Sequence, residues 1–175
     1  PLRVLAAAGW AADNWRVDPA RAGGGALIDL APHGVDLLEV LLGDEWAELH
    51  ALTQHAVHPY PVDDGAVLMG RFRGGALATL HVAYNCPDAY PRRTLELVGT
   101  DARALALDTM GQTPGGTLTL TDTAGRVTPV PLDDDRSPFL LQMEAFSDAV
   151  LRDEPFPFAA EGDVRTCELL EAACR

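Results

Sequence analysis

Between Trp46 and Asp108 the chain changes from helical to extended patterning, and the shortness of the links between its extended segments constrains the fold more than any other feature. Ala47 to Val57, Gly65 to Phe72, Ala76 to Asn85, Thr94 to Val98 and Arg103 to Leu107 read as strands. Gly74-Gly75 and Gly99 to Asp101 read as hairpin turns. Links this short favour antiparallel neighbours, because a parallel crossover needs about a dozen residues or more. Thr117 to Thr121 and Arg126 to Val130 add a weaker hairpin around Ala124-Gly125, and helical patterns return at Pro138 to Arg152 and Glu161 to Cys174. Strands grouped in the middle with helices towards both ends predict an α+β fold: an open, largely antiparallel (mixed) sheet covered on one face by helices.

The clearest helix is Ala26 to Leu42, with Gly43 as its C-cap. At about 100° per residue, Leu27, Leu30, Leu37, Leu38, Leu41 and Leu42 fall on one arc, which predicts the core face. Pro32 removes one backbone donor inside that pattern and predicts an irregular first turn near Ile28 to Ala31. Upstream, Leu2 to Ala8 reads as a buried strand followed by Gly9. A dinucleotide-binding turn requires G-x-G-x-x-G between strand and helix so that a pyrophosphate can approach the helix N-terminus. Gly9 is followed by Trp10, Ala11, Ala12, Asp13 and Asn14, and neither Gly23-Gly24-Gly25 nor Gly111 to Gly116 restores the spacing. No cofactor-binding residues are therefore expected in this chain.

The 175 residues are 47% hydrophobic and 22% charged, the composition of one globular domain that is stable without disulfide or metal. With 13 basic against 26 acidic residues the formal charge is −13, which repels nucleic acid and anionic membrane surfaces. Apolar stretches fall short of the roughly 20 residues of a membrane span and no signal-peptide pattern opens the chain, so a cytoplasmic location is expected. Cys86, Cys167 and Cys174 form no Cys-x-x-Cys pair and read as buried or idle thiols.

Asp29, His33 and Asp36 are spaced i, i+4 and i+7, which places them in one stripe of the helix away from most of the leucines. An imidazole between two carboxylates suits proton transfer near neutral pH, and the alternative is a solvated polar face. His50, His55 and His58 have odd separations that oppose their convergence on one ion. No metal site is expected, since a metal hydrolase built on Asp29 and His33 lacks a third ligand. Asp63-Asp64, Asp133 to Asp135 and Arg92-Arg93 read as solvated turn charges.

The run Trp15-Arg16-Val17-Asp18-Pro19, followed by Ala22 to Leu38 (AGGGALIDLAPHGVDLL), resembles the signature that opens the C-terminal domain of the glucose-fructose oxidoreductase, inositol dehydrogenase and MocA family. Pro61-Val62-Asp63-Asp64, Phe72-Arg73-Gly74-Gly75-Ala76 and Leu95-Glu96-Leu97-Val98-Gly99-Thr100 extend the likeness over essentially the whole chain. The resemblance implies that residues 1–175 are one substrate-binding and oligomerisation domain, with the family's N-terminal Rossmann domain for NAD or NADP absent. The family's Glu-Lys-Pro motif is missing, as is any lysine.

Carried over by position, the family's catalytic pair falls on Asp29 and His33, with His33 the acid/base and Asp29 orienting it. Trp15, Arg16 and Asp36 are implied as substrate contacts. The function so implied is hydride transfer between nicotinamide and a secondary alcohol of a sugar, sugar derivative or cyclitol. The alternative is a non-catalytic oligomerisation module that has lost its nucleotide domain. On the first reading the full-length parent is the enzyme, and the isolated chain binds no NAD(P) and is inactive. A homo-oligomer through the open sheet face is expected.

Overall fold

The computed structural model describes residues 1–6, 9–87, 89–132, 136–158 and 160–173, and the fold is α+β with a mixed, mostly antiparallel sheet. It comprises two compact units, residues 1–92 with 163–175, and residues 93–162. The first unit contains β1 (Leu2–Leu5), a single 3-10 turn at Trp15–Val17, α1 (Pro19–Ala22), α2 (Ala26–Leu42), β2 (Trp46–Gln54), β3 (Gly65–Phe72) and β4 (Leu77–Ala83). Most of the last helix, α4 (Ala160–Ala173), also belongs to it. Its strand order is β2-β3-β4-β1, antiparallel except that β1 runs parallel to β4. The second unit is an antiparallel meander of β5 (Arg93–Val98), β6 (Ala102–Leu107), β7 (Thr117–Asp122) and β8 (Val127–Val130), with α3 (Pro138–Arg152). Of α3 only Ala149 is buried, and Phe139, Met143, Phe146 and Val150 stay exposed.

In the first unit the pleat sorts the side chains to two faces, with Leu5 and Ala83 buried on the second. Leu2, Val4, Ala66, Leu68, Phe72, Leu80 and Val82 are buried, and α2 lies on this side. A Cβ on Gly34 would sit 2.7 Å from a Leu80 methyl and 2.9 Å from a Leu2 methyl, so the missing side chain is what lets the helix approach the sheet. The Trp46 indole donates to the Val35 carbonyl at 3.2 Å and stacks on Phe72 with ring centroids 4.0 Å apart. The opposite face carries the exposed residues Leu52, Val67, Met69 and Leu77 beside His50, Thr79 and the Arg71–Glu48 ion pair. His81 lies on this face opposite Arg3, and burial first, then the Arg3 charge, holds its imidazole below the ordinary histidine range.

Several local expectations are corrected. The buried stripe of α2 is Ala26, Leu27, Ala31, Gly34, Val35 and Leu38, whereas Leu41 and Leu42 are exposed and Leu30 and Leu37 half-buried. Small residues win the contact face because a sheet lies directly against it. The helix runs unbroken from Ala26 to Leu42 with Pro32 inside it, and Gly43 closes it in the left-handed conformation at φ 59°. The strand expected to reach Val57 stops at Gln54, because the amides of residues 56–58 bond to a side chain and not to a neighbouring strand. Arg93 begins β5 instead of standing in a turn. Cys167 is exposed and Cys86 half-buried. Ala7, Ala8, Asp133 to Asp135 and Cys174 lie outside the described residues.

Candidate functional site

Parallel pairing of β1 and β4 brings the carboxyl ends of both strands to one edge, where the chain also enters α2. Ligand sites in folds with parallel strands favour such an edge. Tyr84 directly follows β4, and Trp10 lies a few residues beyond β1. Their rings meet edge to face with centroids 6.3 Å apart.

Asp63 and Asp64 organise this edge, and they are buried, at 7% and 1% exposure, instead of being the solvated turn charges expected. Gly25 occupies the N-cap of α2 and has no side chain to satisfy the first amides of the helix. The Asp63 carboxylate does so from a distant loop, accepting from the Gly25 N–H at 2.7 Å and the Leu27 N–H at 2.8 Å. The Asp63 carbonyl accepts from the Ala26 N–H at 3.1 Å. A Cβ on Gly25 would collide with that carbonyl, which is why the glycine run precedes the helix. Negative charge at this end also complements the helix dipole.

Asp64 faces the other way. Its carboxylate accepts from the N–H groups of Ala56 at 3.0 Å, Val57 at 2.5 Å and His58 at 2.9 Å, and from the Gln54 amide at 3.1 Å. Burial raises its pKa, but these donors outweigh burial and bring it down to about 2. The loop so fixed presents His58 stacked on Tyr60 with centroids 4.8 Å apart. The Tyr60 hydroxyl donates to the Trp10 carbonyl at 3.0 Å and accepts from the Trp10 N–H.

Asp29 stands in the first turn of α2, near enough to the Tyr84 phenol to act on it. Burial first, then the carboxylates of Asp29 and Asp63, push the Tyr84 phenol well above its ordinary range against the opposing Arg16 charge. Arg16 lies between two indoles, its guanidinium carbon 5.0 Å from the centroid of Trp10 and 4.5 Å from that of Trp15. It forms no ion pair among the described residues. His33 and Asp36 follow along the exposed side of α2, and among the described residues neither carboxylate of the stripe is hydrogen-bonded to the imidazole. The structure thus brings Asp29, Arg16 and Trp15 to one edge, with His33 one turn along the helix from Asp29 and Asp36 nearly a further turn on.

Spacing alone missed Tyr84, Trp10 and Tyr60. Their signal was positional: aromatic residues just past strand ends that share an edge. The Trp10 indole N–H and His58 Nε2 are buried with no partner among the described residues. No group of three or more His, Cys, Asp and Glu side chains placed to hold a metal occurs among the described residues. A dinucleotide pyrophosphate does not fit the amino end of α2, because the Asp63 carboxylate already fills its anion position. No helix among the described residues is long and apolar enough to cross a membrane.

A family model described as the GFO/IDH/MocA C-terminal domain matches residues 3–105. The chain is 32% identical over 121 residues to 1,5-anhydro-D-fructose reductase of Ensifer adhaerens, a stretch that is 69% of this chain and 35% of that protein. Its fold is similar to that of aldose-aldose oxidoreductase from Caulobacter crescentus, complexed with glycerol, with a TM-score of 0.80 at 21% identity over 100% of this chain and 54% of that one. Levoglucosan dehydrogenase in complex with NADH and levoglucosan gives a TM-score of 0.79 at 18% identity, over 99% of this chain and 54% of that one. The chain therefore spans little more than half the length of these solved relatives, and about a third of the reductase.

Proposed function

Because the chain belongs to the GFO/IDH/MocA C-terminal domain family, we propose that it is the substrate-side domain of a nicotinamide-dependent oxidoreductase acting on a sugar or related polyol. The observation that carries this reading is the edge at the amino end of α2, where Asp29 and Tyr84 lie near Arg16 between two indoles, with the exposed His33 one turn along the helix. Such a set suits a ring with several hydroxyls. Indole faces pack against its C–H groups, while Arg16 and the Trp10 N–H donate to its oxygens and Asp29 accepts from them.

Oxidation of a secondary alcohol removes a hydride from carbon and a proton from oxygen. NAD or NADP, held by residues other than these, supplies the hydride chemistry. His33 takes the hydroxyl proton, or returns it in the reverse direction, and Asp29 fixes the alcohol's orientation. Trp15 and Arg16 bind the ring, and Asp36 lies at the outer margin of the site. Alone, the 175-residue chain binds neither NAD(H) nor NADP(H) and does not turn over, since its own helix-end anion position is taken. The related activities named above, on anhydrofructose and levoglucosan, favour a sugar over a cyclitol.

The open face of the first unit's sheet serves, on this reading, as a contact between copies of the chain. Leu77 and Leu52 are 81% and 77% exposed there, next to Met69 and Val67, and a two-fold contact would bury them. The free thiols among the described residues suit a cytoplasmic protein. The decisive experiment is turnover of sugars by a form of the protein that includes a nucleotide-binding domain. His33→Ala lowers turnover there by about 10²–10⁴ with little change in cofactor affinity. Undiminished turnover removes His33 from the chemistry, and a clean monomer in sedimentation equilibrium removes the sheet contact.

A further inference from the structure

Arg16 is a half-buried cation held by rings instead of by an acid. Its backbone N–H donates to Asn14 Oδ1 at 3.0 Å, which fixes the 3-10 turn, and the next residue, Val17, is buried. One of its two rings is itself anchored: the Tyr60 hydroxyl bonds both backbone groups of Trp10, and the Tyr84 ring stands against the Trp10 edge. Indole faces attract a guanidinium but offer no oxygen to its five N–H donors. Among the described residues the Arg16 side chain forms neither an ion pair nor a hydrogen bond. Other arginines of the chain find carboxylates: Arg71 meets Glu48 at 2.6 Å, Arg126 meets Asp122 at 2.7 Å, and Arg165 meets Glu45 at 2.6 Å. Acids are not scarce, with 26 against 13 basic residues. Those around Arg16 are engaged elsewhere. The Asp18 carboxylate accepts from the Ala20 N–H, that of Asp63 caps α2, and that of Asp64 holds the loop at residues 56–58.

We propose that Arg16 is a specificity-determining residue that grips an oxyanion of the substrate, so that the sugar taken by this site carries a carboxylate or a phosphate. The proposal rests on the reading of the site as one for a sugar. A planar guanidinium fork pairs with either oxyanion through charge-assisted hydrogen bonds, whereas a neutral pair of hydroxyls would leave a half-buried charge uncompensated. A formal charge of −13 disfavours anions over the surface at large, so an oxyanion drawn to this edge requires a cation fixed in place. The same charges set the direction of binding. Asp29 repels the oxyanion and Arg16 attracts it, which leaves a hydroxyl end of the sugar for Asp29 and His33.

The test is a titration of the 175-residue chain, read by NMR at its three indole N–H resonances, with Trp10→Phe and Trp15→Phe to assign them. Trp46, buried and bonded to the Val35 carbonyl, is the internal control and reports that each variant is folded. The probes are D-glucuronate, D-glucose 6-phosphate and D-glucose. At least one anionic sugar should bind about ten- to hundredfold more tightly than glucose, moving the Trp10 and Trp15 resonances and leaving Trp46 in place. The tighter of the two tells carboxylate from phosphate. Arg16→Gln should bring that sugar down to the glucose level, and Arg16→Lys, which keeps the charge and loses the fork, should recover only part. Glucose bound as tightly as both anions, a preference that survives Arg16→Gln, or Trp10 and Trp15 unmoved by every probe would each overturn the assignment. Acetate or inorganic phosphate bound as tightly as the sugars would overturn it too, since the site would then read an anion and no sugar. In a form of the protein that includes a nucleotide-binding domain, kcat/KM should favour the anionic sugar by a similar factor. If that form turns over no sugar while the chain still binds the anionic one through Arg16, the oxidoreductase reading fails and the oxyanion grip stands. If it turns over neutral and anionic sugars alike, the grip fails and the oxidoreductase reading stands.

Discussion

The two ends of α2 are built on opposite plans. At the carboxyl end the cap itself is close in sequence: Gly43 turns left-handed, its N–H returns to the Glu39 carbonyl, and the Glu39 carboxylate accepts from the Trp46 N–H at 3.0 Å, with the distant Arg165 joining only as an ion pair to Glu39. At the amino end the cap is supplied by a residue 38 positions from the Gly25 amide and 36 from that of Leu27. The end closed locally carries no candidate chemistry. The end closed from afar has Asp29, Tyr84 and Arg16 around it. A terminus that depends on tertiary contacts can be positioned against other distant elements, which a self-contained terminus cannot.

The sharpest way to break this contrast is to remove the remote cap. Asp63→Ala leaves the Gly25 and Leu27 amides buried without an acceptor, and Gly25→Ala drives a methyl group into the Asp63 backbone. Each should destabilise the chain by about 2–4 kcal/mol in urea unfolding. A loss below about 0.5 kcal/mol would make the remote cap dispensable. Next in size is acid lability. The Asp64 carboxyl is lowered in the folded state, so its contribution is complete above the unfolded carboxylate range and is lost as pH falls towards about 2. About 2 kcal/mol should disappear between roughly pH 4 and pH 2, and an Asp64→Asn chain, less stable at neutral pH, should lack that component of the decline.

The smallest effect belongs to the local end. Gly43 has nothing near its missing Cβ, so Gly43→Ala carries only the strain of a left-handed alanine, about 1 kcal/mol, and Gly43→Asn less. Comparable losses from Gly43→Ala and Asp63→Ala would erase the difference between the two ends.

The same contrast governs how much could be read from sequence. Gly43, the bounds of α2 and the hairpins at Gly74-Gly75 and Gly99 to Asp101 follow from neighbours a few residues apart, and they were legible. So was the placing of Asp29, His33 and Asp36 on one exposed stripe. Asp63 and Asp64 were not, because adjacent acidic residues beside a glycine look alike whether they face water or a ring of amides. Tyr84 looked like the tail of a strand. Its contact with Trp10 depends on β1 slotting in parallel beside β4, a pairing that no turn spacing announces.

One more consequence follows from the far end of the chain. Arg165 on α4 bridges Glu39 at 3.1 Å and Glu45 at 2.6 Å, so residues 163–175 complete a unit that otherwise ends at Arg92. During synthesis the whole of residues 93–162 must emerge from the ribosome before that closing piece arrives. The earlier unit waits, with Glu39 and Glu45 still lacking Arg165, while a separate meander of neighbouring strands assembles in the interval. In genetic terms the meander is a guest between two halves of a host, and its two junctions, near Arg92 and Gly162, are where a replacement module could be spliced in.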